Sequence, residues 1–127
     1  MRVLIDTHIF LWLISDSKKL KPTAKRVIAE ADAVYVSAAS IWEISIKLAL
    51  KKIKANPDDL ADAITRAGLI ELPVTAKHAA KVATLPFYPG HNDPFDRLLA
   101  AQALTEPLLL LTDDAQLASY GNFVQVV

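Results

Sequence analysis

Acidic residues recur in this chain where one run of regular sequence gives way to another. Asp6 stands in Leu4-Ile5-Asp6-Thr7-His8, Glu43 in Ser40-Ile41-Trp42-Glu43-Ile44, Asp93 and Asp96 in His91-Asn92-Asp93-Pro94-Phe95-Asp96-Arg97, and Asp113 and Asp114 after Leu111-Thr112. Asp6 is the most constrained of them. It lies between two apolar runs, and a carboxylate there is costly unless it is hydrogen-bonded, paired or metal-bound. One reading makes it the cap of a helix beginning at Thr7 or His8. The other puts it at the carboxyl end of a central strand, where open α/β sheets bind ligands. Each remaining acid also has a structural use. Ser40 to Glu43 matches a capping box, Asp93-Pro94 matches a cap followed by proline, Asp96 suits the helix dipole, and Asp114 can cap a last helix. Caps alone do not explain why so many acids gather without an evident basic partner, only Arg97 being beside any of them. Carboxylates a few ångströms apart raise one another's pKa. A hard divalent cation such as Mg²⁺ or Mn²⁺, which takes carboxylate oxygen and water, removes that penalty.

For these acids to meet, the chain must bring them to one edge, and its periodicities predict how. Val3 to Ile5, Ala33 to Val36, Leu69 to Val74, Leu108 to Leu111 and Phe123 to Val127 read as strands. Between them lie amphipathic stretches: Ile9 to Ile14, a helix from Pro22, a longer one from Ser37 or Ser40 to about Lys54, and one opened by Pro57 and stopped by Gly68. A helix capped by Thr75 is expected to bury Ala76, Ala79, Ala80 and Ala83 and to leave Lys77, His78 and Lys81 in solvent. Leu85 to Asn92 is a Pro- and Gly-rich loop, after which a helix runs from Asp93 to before Pro107, and a short one spans about Asp114 to Tyr120. Alternating strands and helices predict one α/β domain, a parallel sheet covered on both faces. All strands then end on one edge, bringing Asp6, Asp113 and Asp114 together, with Glu43 just inside the helix that leaves the second strand. Asp93 and Asp96 open a helix that precedes a strand and would start at the other edge, unless the two successive helices after the third strand return the chain.

Composition sets the outer bounds. The 127 residues include no cysteine, so neither disulfides nor thiolate metal sites are available, and a reducing cytoplasm is the expected compartment. The N-terminal apolar run is too short and too interrupted for a signal peptide or a spanning helix, which points away from a membrane. Net charge is zero. Residues 1–55 nonetheless carry 10 Lys/Arg against 5 Asp/Glu, and residues 56–127 carry 4 against 9. A basic half beside acidic clusters suggests a face for a polyanion next to a metal site.

Taken together, Leu4 to His8, Ser40 to Ile44 with Lys47, Leu72-Pro73-Val74-Thr75 with His78-Ala79, His91 to Arg97, and Leu111 to Asp114 resemble PIN-domain ribonucleases, and most closely the VapC-type toxins of bacterial toxin–antitoxin pairs. The His-x-Asp-Pro-Phe-Asp-Arg block is the specific part of the match. The resemblance implies a five-stranded parallel sheet and an acidic pocket of Asp6, Glu43, Asp96 and Asp114, the Thr-x-Asp pattern selecting Asp114 over Asp113. It implies metal-assisted hydrolysis of RNA phosphodiesters, with Asp6 and Asp96 holding Mg²⁺ or Mn²⁺ most directly and Asp114 close by. Glu43 would act through water or position the attacking hydroxide. It further implies a VapB-like antitoxin partner and a homodimer. Thr7 and Thr112 are expected to orient Asp6 and Asp114 respectively. Lys47, Lys51, Lys52, Lys54 and Arg97 are candidates for RNA contacts. Asp93 reads as a helix cap, His78 as solvated, His8 and His91 as neighbours of the site, and Trp12 and Trp42 as core or dimer interface.

Two other classes compete. A receiver-type phosphoacceptor domain shares the length, the alternation and the acids at strand ends, but needs a lysine at the end of a late strand, where this chain has Thr112-Asp113-Asp114. A non-catalytic α/β binding module would use the same acids as caps.

Overall fold

The computed structural model describes residues 1–127. In chain order the elements are β1 (Arg2–Ile5), α1 (Thr7–Ile14), α2 (Pro22–Glu30), β2 (Ala33–Ser37), α3 (Ala38–Ala49), α4 (Pro57–Arg66), β3 (Ile70–Leu72), α5 (Ala76–Lys81) with a 3-10 turn at Val82–Thr84, α6 (Pro94–Thr105), β4 (Leu109–Thr112), a 3-10 helix (Ala115–Tyr120) and β5 (Val124–Val126). The strands form one sheet in the order β3-β2-β1-β4-β5, and every pairing is parallel. None of the helices is long and apolar enough to cross a membrane.

The central strand explains the layering. Successive side chains of a strand point to opposite faces, and Val3, Leu4 and Ile5 are all fully buried, as a strand covered on both sides requires. Val3 and Ile5 pack with Ile9 and Phe10 of α1, Ala24 of α2, Ile44 of α3 and Leu60 and Ile64 of α4. Leu4 packs on the other face with Leu99 and Ala103 of α6.

The expected return of the chain before Asp93 is made by α5 and the turn that follows it. Arg2, at the start of β1, donates from Nη2 to the carbonyl of Glu106 at 2.6 Å, so the end of α6 lies at the amino edge of the sheet. Its beginning lies at the carboxyl edge, where Asp96 meets Asp114. A helix that feeds a parallel strand descends antiparallel to it, and α5 makes the climb that comes first: His78 lies against Glu106 at the end of α6, whereas the Val82 and Pro86 carbonyls beyond α5 receive Arg97 near its beginning.

Three boundaries differ from the sequence expectation for identifiable reasons. The helix expected to reach Lys54 ends at Ala49, because Lys51 turns left-handed (φ 58°). The amide of Lys51 then donates to the carbonyl of Leu48, and that of Lys52 to Lys47, both at 2.9 Å. These are the two bonds of a Schellman ending, here built on a residue other than glycine. Gly68 closes α4 the same way, as its position in the sequence suggested. The stretch after Asp114 is 3-10 rather than α-helical.

In α5 the buried and exposed faces are reversed. His78 is 1% exposed, whereas Ala76, Ala79, Ala80 and Ala83 face solvent. The His78 ring completes a capping box, with Nδ1 accepting from the Thr75 amide at 3.0 Å, and Nε2 lies 2.7 Å from Glu106 Oε2. An imidazole with partners at both nitrogens is buried at little cost, while the alanine face has little apolar area to gain. Trp42 is not in the core of this chain: it is 60% exposed and meets Phe95 edge-on at 5.0 Å.

The left-handed Lys51 gives a direct test of the α3 ending. A non-glycine side chain in this region costs about 1–2 kcal/mol. Lys51→Gly should therefore stabilise the protein by about 1 kcal/mol, raising Tm by roughly 2–6 °C, as measured by thermal denaturation.

Candidate active site

Because the sheet is parallel and β1 lies beside β4, Asp6 and Thr112 end up side by side at the carboxyl edge. Asp6 is 5% exposed and Thr112 fully buried. Asp6 caps α1 and also sits at the end of the central strand, so both readings of this residue hold. Its Oδ1 accepts from the Ile9 amide at 2.9 Å, and its Oδ2 accepts from the Thr112 hydroxyl at 2.5 Å. Burial nevertheless dominates and pushes the carboxyl pKa up to about 6, against the lowering effect of those two bonds.

The cleft beside Asp6 has a volume of about 140 Å³ and no hydrophobic residue in its wall. Five acids line it, Asp6, Glu43, Asp93, Asp96 and Asp114, together with Thr7, His8 and Lys47. All four acids expected to form one pocket are thus brought together. Asp113 lies outside it, exposed, on the other side of the turn.

Each carboxylate is supported differently. Thr7 does not hold Asp6; its hydroxyl donates to Glu43 Oε1 at 2.6 Å and lies 3.0 Å from the Ser40 hydroxyl. Thr112 does not hold the Asp114 side chain either. Its hydroxyl serves Asp6 as donor and accepts from the Asp114 amide at 3.0 Å. The threonines are crossed relative to the expectation, because a side chain that follows a strand turns toward the neighbouring element rather than toward its sequence neighbour. The other Glu43 oxygen pairs with Lys47 Nζ at 3.1 Å, an i, i+4 partnership on one helix face, so Glu43 does have a basic partner, contrary to the sequence expectation. Asp114 Oδ1 caps the final 3-10 helix through the Gln116 amide at 3.0 Å.

Asp93 has the cap role expected of it, with Oδ1 accepting from the amides of Phe95 at 2.8 Å and Asp96 at 3.0 Å. It also lines the cleft. Asp96 differs from the rest because no donor of the chain reaches its carboxylate. Its partial burial comes first, and then the charges of Asp93, Glu43, Asp114 and Asp6, in raising its pKa to about 7.

Lys51, Lys52 and Lys54 are exposed beyond the end of α3 and do not line the cleft. Arg97 is turned away from it. The guanidinium donates to the carbonyls of Pro86 at 2.8 Å and Val82 at 3.3 Å and to the Tyr120 hydroxyl at 3.2 Å. Neighbouring residues on a helix point about 100° apart, so adjacency to Asp96 in sequence did not make Arg97 its partner. Its role here is to pin the loop before α6 to the C-terminal helix.

Oxygen donors in excess, a bare carboxylate and one lysine make a site suited to a hard divalent cation, with Asp6, Asp96, Asp114 and Glu43 as available ligands. Fold and cleft together define a class: a parallel α/β domain presenting clustered carboxylates at its carboxyl edge. The chain belongs to the PIN domain family, whose model matches residues 3–122. It is 31% identical to Ribonuclease VapC22 of Mycobacterium tuberculosis, over 94% of this chain and 92% of that protein. In structure it resembles VapC20 of Mycobacterium tuberculosis, a sarcin-ricin loop cleaving toxin (TM-score 0.67, 18% identity, 94% of this chain and 95% of that one). It also resembles a chain of VapBC2 from Rickettsia felis, seen bound to a DNA fragment from its promoter (TM-score 0.66, 17% identity, 100% of this chain and 98% of that one). At these identities the two structures bear on the fold, which they share from end to end.

The raised pKa of Asp96 makes stability without metal depend on pH. The folded value, about 7, lies above the ordinary carboxylate value. The group therefore favours the fold fully below about pH 4 and loses that contribution as pH rises through about 7. Asp96→Asn should flatten this slope. With chelator present it should be more stable than wild type at about pH 8, by roughly 1 kcal/mol given solvent screening of a partly exposed group, and nearly equal at about pH 4. Urea denaturation at the two pH values measures both.

Proposed function

We propose that this protein is a ribonuclease that uses a divalent cation, Mg²⁺ or Mn²⁺, held by Asp6, Asp96 and Asp114, and that it is the toxin of a toxin–antitoxin pair. The observation that carries the proposal is the Asp96 carboxylate. It faces four other acids without a donor from the chain, an arrangement that a bound cation relieves and that caps alone do not require. The bound cation supplies Lewis acidity, lowering the pKa of water and neutralising charge on the phosphate.

The chain's residues do the rest. The Ile9 amide and the Thr112 hydroxyl fix both oxygens of Asp6, so this ligand is oriented before any ion arrives. Thr7 and Lys47 likewise hold Glu43 with both oxygens engaged. Unlike Asp6, Glu43 is already paired with a cation, Lys47, which suits it to accepting a proton from, or aligning, an attacking water rather than to direct ligation. Lys47 is the cation nearest the acids and the first candidate to meet a phosphate. Lys52 and Lys54 extend positive charge beyond α3 and would add weaker backbone contacts.

RNA as the substrate and an antitoxin as partner follow from the 31% identity to a ribonuclease of the VapC kind and from neighbours solved as toxin–antitoxin complexes. A VapB-like antitoxin, a homodimer of this chain and action in the cytoplasm belong to the same reading. The receiver alternative lacks its lysine, since Lys47 approaches Glu43 from a helix and not from the end of β4. The purely capping alternative leaves the Asp96 carboxylate unexplained.

Asp6→Asn and Asp96→Asn should each reduce Mg²⁺- or Mn²⁺-dependent RNA cleavage by at least about a hundredfold while the circular dichroism spectrum is retained, an effect of the size seen when transition-state charge stabilisation is lost. Full activity in a folded, contaminant-free Asp96→Asn protein is the result that overturns the site. For the lysines, Lys52→Gln with Lys54→Gln should weaken RNA binding about equally across sequences and reduce the salt slope by about one per lost phosphate contact. Unchanged affinity and slope would mark them as simply solvated.

A further inference from the structure

The sequence reading left His91 as a neighbour of the site, and the acidic cleft described above does not include it. Its ring has an unusual situation. One of its nitrogens and carboxylate oxygens of Asp96 and Asp114 all lie within 4.8 Å of one another. The side chain belongs to a residue only 9% exposed, and its Nε2 is buried without a hydrogen-bond partner. A buried ring nitrogen with no partner is rare, because the lost hydration is not replaced.

The ring is not free to swing out. The His91 amide donates to the Tyr88 carbonyl at 3.0 Å, closing a small bridge. The imidazole packs 5.9 Å from the Tyr120 ring, which Arg97 in turn anchors. The loop therefore presents a fixed imidazole to two carboxylates, one of which, Asp96, accepts no hydrogen bond from the chain.

We propose that His91 is a metal ligand, forming with Asp96 and Asp114 a mixed nitrogen–oxygen position that biases the site toward transition ions such as Mn²⁺ over Mg²⁺. The proposal rests on the reading of the cleft as a divalent-cation site and adds a ligand to it. Imidazole is a poor ligand for Mg²⁺, which prefers oxygen and retains its waters. It strengthens binding of the later first-row ions, for which nitrogen donors are favoured. An all-carboxylate site would discriminate between Mg²⁺ and Mn²⁺ by size and ligand number alone, whereas one imidazole adds an interaction that favours the transition ion.

Pulsed electron paramagnetic resonance of the Mn²⁺-loaded protein reads this directly, since a coordinated imidazole nitrogen couples to the Mn²⁺ electron spin. Wild type and His8→Gln should both show ¹⁴N coupling, and His91→Gln should lack it. Calorimetric titrations should give a Kd for Mn²⁺ about tenfold weaker in His91→Gln, with the Mg²⁺ value changed much less, the size of effect that loss of one ligand interaction brings. His78 is engaged with Glu106 at the far end of α6, so it does not confuse the assignment. If His91→Gln fails to fold, the comparison of wild type with His8→Gln still decides, because retained coupling leaves His91 as its source and lost coupling assigns it to His8. Mn²⁺ bound with no nitrogen coupling in wild type, or coupling that persists in His91→Gln, overturns the proposal and leaves the carboxylate site standing. Failure of wild type to bind Mn²⁺ at all overturns both.

Discussion

A carboxylate buried between two strands and a helix sets the terms for everything around it. Asp6 is placed in the interior by its own backbone: its amide continues the β1–β4 ladder to the Leu111 carbonyl at 3.1 Å, and its carbonyl receives the first bond of α1 from Phe10 at 3.0 Å. The residue cannot retreat to solvent without breaking strand and helix together. Its charge must be satisfied in place, and the Ile9 amide and the Thr112 hydroxyl offset only part of the burial cost, as the pKa near 6 records. Thr112 reaches it only because β4 is the parallel neighbour of β1. A sheet with β4 elsewhere would bury Asp6 with one partner fewer, so this pairing and the site depend on each other.

The same logic joins two uses of the acids that the sequence presented as rivals. Asp6 follows β1, Asp114 follows β4, and α5 returns the chain to the same edge before Asp93, so these three N-caps meet there. Asp6, Asp93 and Asp114 each cap the element that follows. A cap occupies one carboxylate oxygen, and the other remains available on the cleft side. In Asp93 and Asp114 one oxygen takes the cap bonds. Asp96 stands in the first turn of α6, three residues past the cap, and its carboxylate accepts no amide there. It is consequently the most perturbed acid of the set. Capping fixes the geometry of a site whose electrostatics it does not settle.

How much of this was legible depended on whether the deciding force is local. Strand and helix alternation, parallel order and the meeting of Asp6 with Asp114 could be read, because hydrophobic period and chain direction are written residue by residue, whereas the place of Asp96 in the same pocket came from the family resemblance. The ending of α3 could not, since a lysine takes the left-handed position where sequence rules look for glycine. The partners of Thr7 and Thr112 were crossed because each hydroxyl bonds across elements, to Glu43 and to Asp6. His78 and Arg97 were misplaced for one shared reason. Both are polar residues whose burial depends on acceptors far away in sequence, Glu106 for the first and Pro86, Val82 and Tyr120 for the second. His91 could be read as a neighbour of the site from its place in the same compact block as Asp93 and Asp96, and it does lie beside Asp96 and Asp114.

The sign of the cleft constrains the order of events at the proposed site. Five carboxylates face one ammonium group there, and two of those acids titrate near neutrality, at about 6 and about 7. An approaching phosphate meets repulsion so long as the acids are ionised and no cation is present. Protonation would relieve the repulsion, but it removes the ligands that a metal requires, so protons and metal compete for the same oxygens. Cation binding eases both conflicts at once, because it takes the place of protons on the raised acids and offsets part of the negative charge. Lys47 does not substitute for it, being already committed to Glu43 and one charge against five. The lysines beyond α3 lie outside the cleft and exposed, where in the proposed function their charge would draw a polyanion toward the domain without neutralising the ligands. Under the proposed function, attraction at the rim and repulsion in the cleft make metal occupancy the condition for a phosphodiester to reach the acids.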